Sequence, residues 1–396
     1  MWFFNSPRIF FGKEAIEQLS NPLNIAGSKA FVVTDKDIVG LGIIDIVTKQ
    51  LKAANIEYTI FDGVLPDPPI SVVKEAASQC QEFAPDLIIA LGGGSVIDCA
   101  KGAWILYEDP TFELPGLNPF VNIPTGTKAK LVAIPTTSGT GAETTGAVVL
   151  TDDETGLKLE LLNRFAIPTV AIVDPVFVDK MPKKLITSTG FDAVAHCIEG
   201  STGQWRNIYT EGLATVALGM LFKFLPDSFA GELEAREQVH NAASIAGLSF
   251  GNAQVHLGHT IGHALGGTFH IPHGFAVGMA LPYVMQFLVN HDDQSKAVSI
   301  LSRIAKATGR ADWGDDDATA AAKLIAAVKE LQSAVEFPAT LTEYGLNADD
   351  VEAGIPRFKE LALQSGCLTI TPVDKVDAEL AANIVRCMID GSPVEF

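Results

Sequence analysis

Basic residues are scarce in this chain: 28 Lys and Arg stand against 47 Asp and Glu over 396 residues, a formal charge of −19. So acidic a chain repels phosphate backbones and anionic headgroups, so neither nucleic acid nor a membrane surface is an expected partner. Charge of either sign is thin, 19% of residues with 47% hydrophobic, where about 25% charged is usual. That excludes disorder, leaves room for two or three buried cores, and points to a homodimer or larger oligomer covering further surface. The five cysteines (Cys80, Cys99, Cys197, Cys367, Cys387) form no CxxC pair. Disulfide frameworks and zinc knuckles are excluded, and a reducing, cytoplasmic setting is expected. The start, Met-Trp-Phe-Phe-Asn, lacks the basic region and apolar run of a signal peptide. The longest apolar stretch, Gly274 to Val289, contains Pro282 and Gln286 and falls short of the ~20 residues that span a bilayer.

What is present divides into two grammars. Through about residue 175, β-branched and aliphatic runs (Phe31–Thr34, Tyr58–Phe61, Leu87–Ala90, Leu131–Ile134, Val170–Val173) alternate with helical patterns such as Ser71–Glu82 and Ser95–Tyr107. Continuous rather than alternating apolar runs fit strands buried on both faces of a parallel sheet. After Asp174-Pro175 the pattern is helical throughout, with breaks expected at Pro226, Pro272, Pro282 and Pro338 and a clear amphipathic stretch at Ala320–Val335. The expectation is an α/β, doubly wound, mostly parallel dinucleotide-binding domain over 1–180, followed by an all-α metal- and substrate-binding domain over 181–396.

The strand Leu87–Leu91 runs into Gly92-Gly93-Gly94-Ser95 and a helical pattern. Glycines remove the Cβ atoms that block close approach of a phosphate to backbone N–H groups, and Ser95 could cap the helix. The pattern is not GxGxxG, because Ile97 takes the third glycine's place. A second turn, Pro135-Thr136-Thr137-Ser138-Gly139-Thr140-Gly141, follows the strand Leu131–Ile134. Two such turns in one sheet suit a diphosphate, which favours a dinucleotide over a plain tight turn. Asp35 ends the strand Phe31–Thr34. Two readings stay open for it: accepting hydrogen bonds from a ribose diol, which favours NAD over NADP, or capping the next helix.

Five of the eight histidines (His256, His259, His263, His270, His273) lie within 18 residues. Even spreading would put fewer than one there. His259 and His263 are four apart on a helical pattern, as are Asp192 and His196 upstream. Two helices that each present an i, i+4 pair can surround one ion, and a carboxylate with imidazoles suits Fe²⁺, Zn²⁺ or a similar divalent ion. The zincin HExxH is absent.

With these residues assembled, the chain resembles the iron-containing (group III) alcohol dehydrogenase family along its whole length. The resemblance rests on "SPRIFFGKEAIEQL", "VVTDK", "LGGGSVIDCAKG", "IPTTSGTGAETT", "GFDAVAHCIEG" and "FGNAQVHLGHTIGHALGGTFHIPHG". It implies a dinucleotide-binding domain plus a helical metal domain, as in dehydroquinate synthase-like folds. It implies metal ligands at Asp192, His196, His259 and His273, with His263 beside substrate and nicotinamide as the catalytic, non-ligand histidine. It further implies cofactor contacts at Gly93, Gly94, Ser95, Thr136 and Thr137, Asp35 at the position tied to NAD preference, and cofactor-lining roles for Thr145, Lys158 and Asp98. For Lys158, in a turn-rich stretch, a solvated lysine is the plainer reading, and Asp98 could equally hold the glycine turn.

The chain departs from the family pattern at His256, where relatives often carry glycine, at Asp67, where asparagine is common, and at Ala147, which is polar in some relatives. The expected substrate pocket comprises Thr140, Ala147, Phe250 and His256, with His256 lining the pocket or standing behind it. The implied reaction is hydride transfer between a small alcohol or aldehyde and NAD, with the substrate oxygen on Fe²⁺ (Zn²⁺ or another divalent ion in its place). Two alternatives stand beside it. One is a dehydroquinate synthase-like lyase, which would need clustered Lys and Arg, whereas Gly190–His273 offers only Arg206, Lys223 and Arg236. The other is a non-catalytic nucleotide-binding module.

Overall fold

A strand covered by helices on both faces has no reason to alternate polar and apolar residues, and the first half of the chain is built that way. The computed structural model describes residues 4–396; Met1–Phe3, part of the start read above for a leader, lie outside the described residues. The chain divides into two compact units, Met1–Met181 and Pro182–Phe396.

In the first unit β1 (Arg8–Phe11), β2 (Lys29–Val33), β3 (Glu57–Phe61), β4 (Leu87–Gly92), β5 (Lys130–Pro135) and β8 (Val170–Val173) form one sheet, while β6 (Ala147–Thr151) and β7 (Lys158–Leu162) pair separately. The order is β1-β8-β5-β4-β2-β3, and every pairing in this sheet is parallel. Phe31, Val33, Ile88, Ala90, Leu131 and Ala133 enter one core, and the residues between them, Val32, Ile89 and Val132, enter the other. Helices α1 (Lys36–Gly40), α2 (Ile44–Ala53), α3 (Ile70–Phe83) and α4 (Gly94–Glu108) connect the strands. Because β2 lies between β3 and β4, the chain reverses direction across the sheet there. The carboxyl ends of β2 and β4 thus flank a topological switch point, where open α/β sheets take ligands. The Thr34 hydroxyl donates to the Leu91 carbonyl across that point (2.8 Å).

Three elements were not read from the sequence. Edge strand β1 is short, and the antiparallel pair β6–β7 (Ala147 opposite Leu162, Thr151 opposite Lys158) stands apart from the main sheet. Lys158 therefore opens a strand and is not in a turn.

The second unit is helical. Its first five long helices are α5 (Lys183–Thr202), α6 (Ile208–Ala230), α7 (Leu233–Phe250), α8 (Leu257–Phe269) and α9 (His273–Asn290), followed by others including Asp317–Ala334 and Ala378–Asp390. Ile186–Thr202 of α5 is buried without interruption. Contrary to expectation, Pro226 and Pro282 lie inside α6 and α9 rather than ending them. An interior proline removes one hydrogen bond and costs about 3 kcal/mol. α9 is buried over most of its length, and that packing outweighs the loss. Among the described residues α6 alone has the length and apolar composition to cross a membrane. It packs against α5 and α7.

Candidate metal centre and dinucleotide turns

Helical periodicity puts Asp192, His196 and Glu199 on one face of α5, and the first turn of α8 brings His259 against that face. Asp192 Oδ1 lies 3.6 Å from His196 Nε2, 3.6 Å from His259 Nε2 and 3.3 Å from His273 Nε2. Asp192, His196 and His259 are buried and can present three ligand atoms to one ion. The His273 side chain, 33% exposed, closes the open side. Donors held ~2.1 Å from one ion stand about 3.4 Å apart along the edges of a tetrahedron, so these separations suit a single cation. Asp192 Oδ1 and His259 Nε2 are buried and make no hydrogen bond. An oxygen and a nitrogen facing each other in that way are expensive unless a cation stands between them. The donor set fits a borderline divalent ion.

The electrostatics distinguish the three buried groups. Burial alone would raise the Asp192 carboxyl, but the imidazoles of His196 and His273 hold it well below the usual range. His196 is pushed down to about 4, chiefly by burial, so it is neutral and able to ligate. Burial also acts to lower His259, but the Glu199 carboxylate and Asp192 outweigh it and push the ring up to about 10. Glu199 was not singled out from the sequence. It is fully buried, and although burial would raise it, His259 and His256 hold it at about 2. The signal was available, since Glu199 lies seven residues after Asp192 and three after His196.

His263 is half-buried. Its ring stacks on His273 with centroids 5.0 Å apart and sets its edge to His259 at 5.9 Å. Phe250 lies flat on His196, centroids 3.9 Å apart, and so forms the wall behind that ligand. His256 corrects an expectation: it lines no pocket. It has no exposed surface; Nε2 lies 2.9 Å from Thr202 Oγ1, and Nδ1 lies 3.3 Å from Glu199 Oε1.

In the first unit, the two glycine and threonine turns leave the adjacent parallel strands β4 and β5, and Thr136 N–H donates to Gly92 O (3.1 Å). They touch closely enough to need glycine. A Cβ at Gly93 would stand 3.2 Å from Thr137 Cγ2, and one at Gly94 3.0 Å from Thr140 Cγ2. Thr137 Oγ1, buried there without a hydrogen bond, is a donor in search of an acceptor. Gly93, Gly94, Ser95, Thr137 and Thr140 keep partly open surface, whereas Thr136 is buried.

Helix α4 begins at Gly94 with Gly93 as its cap, so Ser95 does not cap it. Ser95 Oγ instead accepts from Asp67 N–H (3.3 Å). Asp35 does cap α1, accepting from Ile38 N–H through Oδ1 (2.8 Å), and stays half-exposed.

The residues expected to line the cofactor further on, Asp98, Thr145 and Lys158, each have a partner within the protein. Asp98 is buried, with Oδ2 accepting from Val149 N–H (3.0 Å) and Oδ1 3.7 Å from Lys101 Nζ. The buried Lys101, also missed, donates to Ala147 O (2.7 Å) and Thr145 Oγ1 (3.4 Å). It thereby ties α4 to β6 and occupies both Thr145 and the backbone of Ala147. Lys158 pairs with Asp67 (2.8 Å).

Comparison with known proteins gives these sites a context. The iron-containing alcohol dehydrogenase family matches residues 6–175, and the Fe-containing alcohol dehydrogenase family, C-terminal, matches residues 186–384. An NADPH-dependent butanol dehydrogenase of Clostridium saccharobutylicum is 37% identical over 99% of both chains. A lactaldehyde reductase of Escherichia coli is 35% identical over 90% of this chain and 92% of its own length. The chain spans only 45% of the bifunctional aldehyde-alcohol dehydrogenase of E. coli, to which it is 35% identical. The crystal structure of a 1,3-propanediol oxidoreductase superposes with a TM-score of 0.89 at 31% identity, covering 98% of this chain and 100% of the other. These relatives support the dehydrogenase reading and lend nothing to the lyase or the non-catalytic module. With family matches spanning both of its units, the chain belongs to the iron-containing alcohol dehydrogenase family.

Proposed function

We propose that this alcohol dehydrogenase uses NAD(H) in preference to NADP(H) and holds Fe²⁺ on Asp192, His196, His259 and His273. Zn²⁺ or another divalent ion is the substitute. When bound, the cation supplies Lewis-acid polarisation of an alcohol or carbonyl oxygen, and the dinucleotide accepts or returns hydride. A donor set of four that still admits substrate favours an ion tolerant of five or six ligands, hence Fe²⁺ first. The observation that carries the reading is the convergence of three imidazole Nε2 atoms within 3.3–3.6 Å of one buried carboxylate oxygen.

The chain's own groups divide the remaining work. The open N–H groups of the Gly93–Ser95 turn and the Thr137 hydroxyl meet the diphosphate. The half-exposed Asp35 keeps Oδ2 for a ribose diol, and its charge repels a 2′-phosphate. In this respect the chain is proposed to differ from the butanol dehydrogenase named NADPH-dependent. His263, half-buried beside His273 and His259, receives the alcohol proton and passes it outward.

A homodimer or larger oligomer is proposed from β1, an unpaired sheet edge carrying Phe11 at 71% exposure. A cytoplasmic setting is proposed from the five free cysteines. The substrate is a small alcohol or aldehyde, and neither nucleic acid nor membrane is a partner.

The test is to strip the protein of metal and restore Fe²⁺ or Zn²⁺ anaerobically, with a panel of small alcohols and NAD⁺ and NADP⁺ side by side. Turnover is expected to return with metal and to favour NAD⁺. Full turnover by the stripped protein would overturn the metal assignment.

A further inference from the structure

Glu199 stands behind the candidate ligands rather than among them. Its side chain is fully buried near the end of α5, and each carboxylate oxygen has a separate task. Oε1 accepts from the backbone N–H of His256 (3.1 Å) and of Gly258 (2.8 Å), where α8 begins. Oε2 accepts from His259 Nδ1–H. Gly258 permits the approach: a Cβ there would lie 3.0–3.1 Å from the Glu199 carboxylate atoms. The seat is closed from behind by His256. The Thr202 hydroxyl donates to Ile198 O (2.8 Å) and its oxygen lies 2.9 Å from His256 Nε2, while His256 Nδ1 lies 3.3 Å from Glu199 Oε1.

A carboxylate can only accept. Against Glu199, His259 must keep a proton on Nδ1, which makes Nε2, 3.6 Å from Asp192 Oδ1, the nitrogen left for a cation. We infer that Glu199 is a positioning residue for the metal centre: it sets the tautomer and rotation of His259 and pins the first turn of α8 that carries that ligand. The inference rests on the metal reading above. It also assigns His256 a place in the brace behind the centre.

Glu199→Gln keeps the shape and removes the two-sided acceptor. If its amide oxygen stays on the two backbone N–H groups, its NH₂ faces His259 Nδ1 and drives the proton to Nε2, the ligating atom. Groups of this kind typically govern metal affinity by 10–100-fold. The experiment titrates Co²⁺ into metal-free protein against a competing chelator and records the visible d–d absorption, with circular dichroism to verify folding. The unsubstituted chain is expected to bind one Co²⁺, and E199Q to bind it about 10–100-fold more weakly with a shifted spectrum. Should E199Q fail to fold, E199D takes its place. Its carboxylate, one methylene shorter, cannot serve Gly258 N–H and the His259 ring together, and weaker binding is again expected. A folded variant with the unsubstituted chain's Co²⁺ affinity and spectrum overturns the role of Glu199. No Co²⁺ binding by the unsubstituted chain overturns the metal reading, and this inference with it.

Discussion

Gly262 on α8 lies directly against Val277 on α9: a methyl group on Gly262 would collide with Val277 Cγ2 and stand 3.1 Å from the Val277 backbone nitrogen. Val277 follows His273 by four residues and Gly262 follows His259 by three, so this contact sets the spacing of two candidate ligands. Gly262→Ala is expected to push the helices apart. Overpacking of this sort costs about 1–3 kcal/mol. It should lower both the melting temperature and the metal content of the purified protein. An unchanged metal content would show that the spacing is fixed elsewhere.

Two of the histidines, His196 on α5 and His263 on α8, have different assignments. His196→Ala removes a buried donor and is expected to abolish bound metal and turnover together. His263→Ala is expected to retain metal at one ion per chain while lowering kcat tenfold or more, because its ring lies beside the cluster and is not aimed into it. Metal analysis alongside steady-state kinetics separates the two. Loss of metal from H263A would contradict the assignment.

Asp35→Ser offers a clean test of cofactor choice. Serine caps helices about as well as aspartate, so the bond to Ile38 N–H has a replacement while the negative charge is gone. The ratio of kcat/KM for NADP⁺ over NAD⁺ should rise by about tenfold or more, equivalent to ~1.4 kcal/mol. An unaltered ratio would mean that Asp35 is a helix cap and nothing more.

Lys101 is fully buried, and the burial that lowers its pKa also raises Asp98 to about 6. Lys101→Met leaves Asp98 without its counter-charge and frees the Ala147 carbonyl. Breaking a buried pair from one side typically costs about 3–5 kcal/mol. The double variant Asp98→Asn/Lys101→Met should recover a large part of that loss in urea unfolding. Equal stability of single and double variants would deny the coupling.

His240 on α7 supplies a pH dependence set by burial. Burial pushes its pKa down to about 4, while the unfolded chain's histidine titrates near 6.5. The folded value is depressed, so the unfolded state takes up the proton first. The stability held by neutral His240 is complete above pH 6.5 and is lost as pH falls toward 4. Between pH 7.5 and 5 the loss amounts to about 2 kcal/mol. His240→Gln should show a correspondingly smaller difference between urea midpoints at those two pH values.

Much of this was legible in the sequence because it depends on near neighbours along the chain. Uninterrupted aliphatic runs specified strands covered on both faces, glycines after a strand specified a tight turn into a helix, and the four-residue spacings of Asp192–His196 and His259–His263 placed each pair on one helical face. Only the tertiary structure decided what those faces meet. Glu199 and His259 are 60 positions apart, Lys101 and Ala147 are 46 apart, and no local pattern brings either pair together. The same packing sealed His256 behind the cluster, spent Asp98 and Thr145 inside the first unit, and carried α6 and α9 through their prolines. The physical reason is that periodicity fixes the direction of a side chain relative to its own helix or strand, whereas its partner depends on how helices dock. That is decided by whole buried surfaces, down to a missing methyl at Gly258 or Gly262.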